Sequence, residues 1–138
     1  MGTWGVLAFD NDTADDWAYD LEDVDDLALV KSALGEVLEA GEDYLDSDLA
    51  CDALAACEVL ARLRGQTGYT NSYTEKVDRW VEAHKDRVLP SEELLSLASA
   101  AIDRILGEDS ELRELWDEGA GGEEWRAAVE NLRQRLRA

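Results

Sequence analysis

Basic side chains are almost missing from the first sixty residues, where seventeen acids stand against one base, Lys31. Over all 138 residues, 33 Asp and Glu oppose 13 Lys and Arg, a formal net charge of −20. That balance excludes a general nucleic-acid-binding surface, because phosphates need a basic footprint. No apolar run is long enough to span a bilayer, so no membrane helix is expected. The opening Met1-Gly2-Thr3-Trp4 has neither a basic region nor an apolar signal segment. Val6 occupies the position where myristoylation needs Ser or Thr. Histidine and proline occur once each, as His84 and Pro90.

Cysteine is scarce too. Cys51 and Cys57 are six residues apart, and on a helix that spacing advances about 9 Å and turns about 240°. A disulfide needs Cα atoms within about 7 Å. The two therefore read as small buried thiols, which with the missing signal segment implies a reducing cytoplasm.

What the chain does have is apolar mass. It is 46% hydrophobic with five Trp and four Tyr, enough for a true core. Residues 1–9 are punctuated by glycine and read as a short extended N-terminal arm that tucks its aromatics onto the domain. Asn11 or Asp12 then caps a helix carrying Trp17 and Leu21. Val24, Leu27, Leu34, Val37 and Leu38 predict a second helix over 23–40, with Gly41 as its C′ residue. The third, over 47–64, is mostly small and apolar, with Asp52, Glu58 and Arg62 as its only polar positions between Leu49 and Leu63. It is expected at the centre, with Glu58 and Arg62 as an i,i+4 pair on its exposed stripe. A loop at 65–73 precedes a Ser72–Glu75 capping box and a helix over 73–88. Further helices are predicted over 91–106, 110–118 (with Leu112, Leu115 and Trp116 apolar) and 123–137. The expected fold is all-α: one compact domain of six or seven helices, spanning 1–138, around helix 47–64.

No motif points to chemistry. His84 lacks a nucleophile partner and lies on the Trp80–Val81 face, so it reads as a packed histidine. Phosphate- and dinucleotide-binding glycine loops are missing. Residues 10–26 hold nine acids, which is what calcium or magnesium binding needs. Yet Asp10 and Asp12 are followed by Ala14 with no turn glycine, so the calcium-loop pattern fails. We assign no catalytic residue, no metal ligand and no cofactor. The candidate interaction surface is Asp10, Asp12, Asp15, Asp16, Asp23, Asp25 and Asp26. Trp4 either anchors the arm or serves as an exposed recognition residue.

Gly2-Thr3-Trp4-Gly5, Phe9-Asp10-Asn11-Asp12, Asp16-Trp17 and Leu21 resemble the opening of a bacterial domain of unknown function. The resemblance continues through Leu54-Ala55-Ala56-Cys57-Glu58, Ser110-Glu111-Leu112, Leu115-Trp116 and the Trp125, Leu132, Leu136 series. It implies a small soluble bacterial protein and supplies no catalytic residues. The expected function is a non-enzymatic acidic interaction module, an immunity or inhibitor protein being one concrete form, with a basic protein surface as partner and neither nucleic acid nor membrane. The rival expectation is a divalent-metal binder or enzyme using segment 10–26.

Overall fold

The computed structural model describes residues 5–137. Among them are seven α-helices: α1 (Asp12–Leu21), α2 (Ala28–Glu39), α3 (Ser47–Leu63), α4 (Glu75–His84), α5 (Glu92–Leu106), α6 (Glu111–Glu118) and α7 (Gly122–Arg137). A short 3₁₀ turn, Ser72–Thr74, leads into α4. The all-α expectation holds.

α3 is the axis of the domain, and each of the other six helices packs against it. Its composition explains the position. Ala50, Ala53, Ala55, Ala56 and Ala61 are fully buried, and short side chains let six neighbours approach one helix closely. Asp46 caps its start by accepting from the Asp48 amide at 2.7 Å. Gly65, at φ +82°, supplies the left-handed turn beyond its last residues. Cys51 and Cys57 are both free and buried.

Five expectations need correction. The second helix begins at Ala28, not at 23. Residues 22–27 instead form a loop, where Asp26 accepts from the Ala28 amide at 3.0 Å and so starts the helix. Crowded aspartates favour such local side-chain bonds over helical continuation. The Glu58–Arg62 pair is not on an exposed stripe, because both residues are buried. The capping box before α4 uses Asn71 and Thr74 rather than Ser72 and Glu75, and α4 ends at His84 rather than 88. Leu115 is exposed rather than apolar-facing, leaving Leu112 as the buried residue of α6.

The N-terminal arm turns tightly. Leu7 donates its amide to Asp10 Oδ2 at 3.1 Å, and the Asp10 amide returns to the Leu7 carbonyl at 3.0 Å. A Cβ at Gly5 would run into the Asp10 carboxylate and push it from its bond to Leu7. The turn delivers Phe9, fully buried, into the core. Asn11 then caps α1 through its side-chain oxygen and the Ala14 amide, 2.8 Å apart. The expectation for Trp4 falls outside the described residues.

A second tie joins the link between α2 and α3 to the link between α5 and α6. The Leu45 amide donates to the Asp109 carbonyl at 2.7 Å, and the Glu111 amide donates to the Leu45 carbonyl at 2.9 Å. Arg104 reinforces this tie by donating to the carbonyls of Gly41, Asp43, Glu108 and Asp109.

Candidate interaction surface

The acidic segment does not stay together as one surface. Asp10 is buried and spends its carboxylate on the arm's own turn, so it drops out of the candidate surface. Asp12 and Asp16 on α1 are exposed. Asp15 is half-buried and paired with Lys76 of α4, Nζ to Oδ1 3.0 Å. The same ammonium lies 4.2 Å from the centre of the Tyr19 ring, and its hydrogen bond to Asp15 raises its pKa. Asp23, Asp25 and Asp26 lie in the loop before α2, all exposed. Segment 10–26 thus splits into an α1 group and a loop group.

The α1 group gains company that the linear sequence hides. Asp52 of α3 is half-buried and faces Asp16 and Asp20 of α1, Glu36 of α2 and Asp48 of its own helix. Burial is the larger cause, and these four like charges the next, of a carboxyl pKa pushed up to about 7. Thr13 Oγ1 donates to Asp48 Oδ1 at 3.1 Å and fixes α1 beside the start of α3. The acidic face is therefore tertiary, assembled by three helices.

The loop group is held differently. Trp80 of α4 donates its indole Nε1–H to the Val24 carbonyl at 2.8 Å. His84 stacks on Trp80 with ring centres 4.2 Å apart. Its Nδ1 lies 2.7 Å from the Trp80 carbonyl, which can only accept, so Nδ1 carries the proton. Nε2 faces Asp25 at 3.4 Å. The packed-histidine expectation is met, and the ring secures the acidic loop.

Reactive groups are muted elsewhere. Burial pushes the Cys51 thiol up to about 12 and the Cys57 thiol higher still, so neither is a thiolate near neutral pH. Among the described residues, no group of three or more His, Cys, Asp or Glu is arranged to hold a metal ion.

The sequence reading missed one constellation. Glu58 of α3 takes a two-pronged bond from Arg135 of α7, at 2.9 and 2.7 Å, and meets Arg62 Nε at 3.3 Å. Arg62 in turn donates to Asp78 Oδ1 and to the Tyr69 carbonyl, each at 2.7 Å. Thr74 donates to the other oxygen of Asp78 at 2.7 Å. Two carboxylates and two guanidiniums balance. A half-enclosed cavity of about 170 Å³ lies over this network, between the arm, Tyr69 and α7. Arg135 is also bonded to Asn131 and Gln66, so the charges balance, while Arg62 Nε keeps only its ion-pair contact with Glu58. It fastens α7 and the 65–74 segment to α3. No periodicity signals it, since Arg135 is 77 residues from its partner.

The family model described as domain of unknown function (DUF4259) matches residues 2–128. The chain belongs to this family. No curated protein and no solved structure matches the chain. The DUF4259 match takes in α1 to α6 and the first part of α7, and with them the whole acidic face, the acidic loop, Glu58 and Arg62. Arg135 lies beyond it. No helix among the described residues is long and apolar enough to cross a membrane.

Proposed function

We infer that this DUF4259 protein is a non-enzymatic interaction module that receives a basic protein surface on its acidic face. The observation that carries the reading is the meeting of Asp16, Asp20, Glu36 and Asp48 around half-buried Asp52. Like charges gathered this way cost folding stability. A partner that brings Lys or Arg to the face offsets that cost at the moment of binding, and it is steered in by the same field. An inhibitor or immunity protein, masking the basic site of another bacterial protein, is the concrete form we favour. Two buried free thiols fit a reducing cytoplasm. High thiol pKa values and a histidine committed to Trp80 argue against nucleophilic catalysis.

The test is kinetic. With a partner recovered from the source cells, association should slow steeply as salt rises. Asp16→Asn, Asp20→Asn, Glu36→Gln and Asp48→Asn together should slow it further while circular dichroism stays unchanged. An on-rate indifferent to salt and to all four changes would remove the acidic face from consideration. A thermal-shift titration with calcium, magnesium, manganese and zinc addresses the metal-binding alternative, because a ligand of the native state raises the melting temperature.

A further inference from the structure

The loop that separates α1 from α2 leaves an opening at its far end. There the first residues of α2 and of α5 flank a groove of about 290 Å³. Leu27, Ala28, Leu94 and Leu97 form its apolar lining, and Asp26, Lys31, Ser91 and Glu93 its polar margin. Leu27 and Leu97 are only half-buried, and Leu89, two residues before Ser91, is 72% exposed. Had the second helix started at 23, Leu27 would lie inside it, on the apolar face. Because the chain breaks at the loop, Leu27 becomes the N-cap position just before α2 and stays at the groove.

The margin carries more acid than base. Asp26 from the loop and Glu93 from the first turn of α5 are its acids, both exposed. Lys31 is the one base lining the groove. The volume sits at the lower edge of small-molecule pockets, so it suits one or two side chains better than a larger ligand. An apolar slot with an acidic margin is complementary to an aliphatic or aromatic side chain flanked by lysine or arginine. Interfaces concentrate their energy in such anchors, while rim charges set rate and specificity.

We propose that the α2–α5 groove is the anchor site for a basic segment of a partner protein, taking one apolar side chain of that segment between Leu27, Leu94 and Leu97 while Asp26 and Glu93 hold its cationic neighbours. This deepens the function proposed above and rests on it, because it names the chemistry of the partner and the point where it is gripped. The loop connects the two surfaces: its acids continue the charge of α1, and its end forms the groove.

The experiment uses the full chain, labelled with nitrogen-15, and three short synthetic probes: an amphipathic helix of leucine and lysine, its leucine–glutamate counterpart, and a lysine–serine peptide without apolar residues. The leucine–lysine peptide should shift amide signals of Leu27, Lys31, Leu94 and Leu97, and Leu97→Arg should weaken it by about tenfold or more. The lysine–serine peptide should bind at least about tenfold more weakly, and the leucine–glutamate peptide should leave those signals still. Leu97→Ala is the second variant should the arginine disturb folding, and it should weaken the leucine–lysine peptide in the same direction. Shifts confined to Asp12, Asp16 and Tyr19, untouched by either Leu97 variant, would overturn the groove while leaving the acidic face standing. No binding of either basic peptide at low salt would overturn both. Equal binding of the leucine–glutamate peptide would refute the charge argument. A concentration-dependent dimer abolished by the Leu97 variants would put a second copy in the groove and overturn the proposal.

Discussion

Replacing Asp52 with asparagine should stabilise this protein, and by an amount that depends on pH. The Asp52 carboxyl rises from an ordinary 3.8 to about 7 in the folded state. Each unit corresponds to about 1.4 kcal/mol, so the unscreened penalty for ionising it would be about 4 kcal/mol. Asp52 is only half-buried, and water and salt screen much of the repulsion, which reduces the expected penalty to about 1–2 kcal/mol. The sign follows from linkage. Below the unfolded value the carboxyl is protonated in both states and costs nothing. As pH rises toward 7 the unfolded chain ionises first, and stability is lost until the folded carboxyl ionises as well. Above 7 the loss is constant. The Asp52→Asn side chain carries no charge at any of these pH values, so the gap between variant and wild type should open between about pH 4 and 7 and then level off. Urea titrations followed by tryptophan fluorescence at about pH 4.5, 6 and 8 measure it directly. Added salt should narrow the gap only in part, because burial rather than repulsion is the larger cause. A gap identical at all three pH values, or a variant less stable than wild type at the highest, would refute the assignment of Asp52 as a crowded, half-buried acid.

Three further outcomes test the framework. Ala56→Leu adds bulk at a fully buried position of α3 and should cost about 1–3 kcal/mol in the denaturant midpoint, so an unchanged midpoint would remove α3 from the centre. Phe9→Ala should cost about 3–5 kcal/mol, since the ring is fully buried, and a variant that melts like wild type would show the arm packs elsewhere. Arg135→Ala leaves Glu58 buried with only its 3.3 Å contact to Arg62, and should cost about 3–5 kcal/mol by thermal or chemical unfolding. If Arg135→Ala costs no more than an exposed arginine on α7 such as Arg137→Ala, the network is not holding α7 to α3.

Much of the fold was legible from local rules. α3 and α5 agree with their predicted spans to within a residue at each end, because Asp46, Ser91, Gly65 and Gly107 punctuate strongly periodic segments. The second helix starts later than its periodicity predicts because Val24 and Leu27 fit a helical period by chance, while three aspartates compete for the backbone there. The candidate site was legible only in its composition. Nine acids in seventeen residues announced an acidic surface, but not that Asp10 would turn inward or that Asp20, Glu36, Asp48 and Asp52 would join Asp16.

The sequence by itself determined the helices, the small-residue axis around which they pack, the unpaired thiols and the uneven charge. Each follows from residue spacing along one stretch of chain, where propensity, capping and period act locally. Tertiary structure alone decided which charges are buried and which meet. Glu58 looked like a surface partner of Arg62, and became the inner end of a bond to Arg135, 77 residues away. Asp52 shares its face with acids from two other helices. Burial and electrostatic neighbourhood depend on how helices pack against one another, and the period of a single helix carries no information about the side chains its neighbours present.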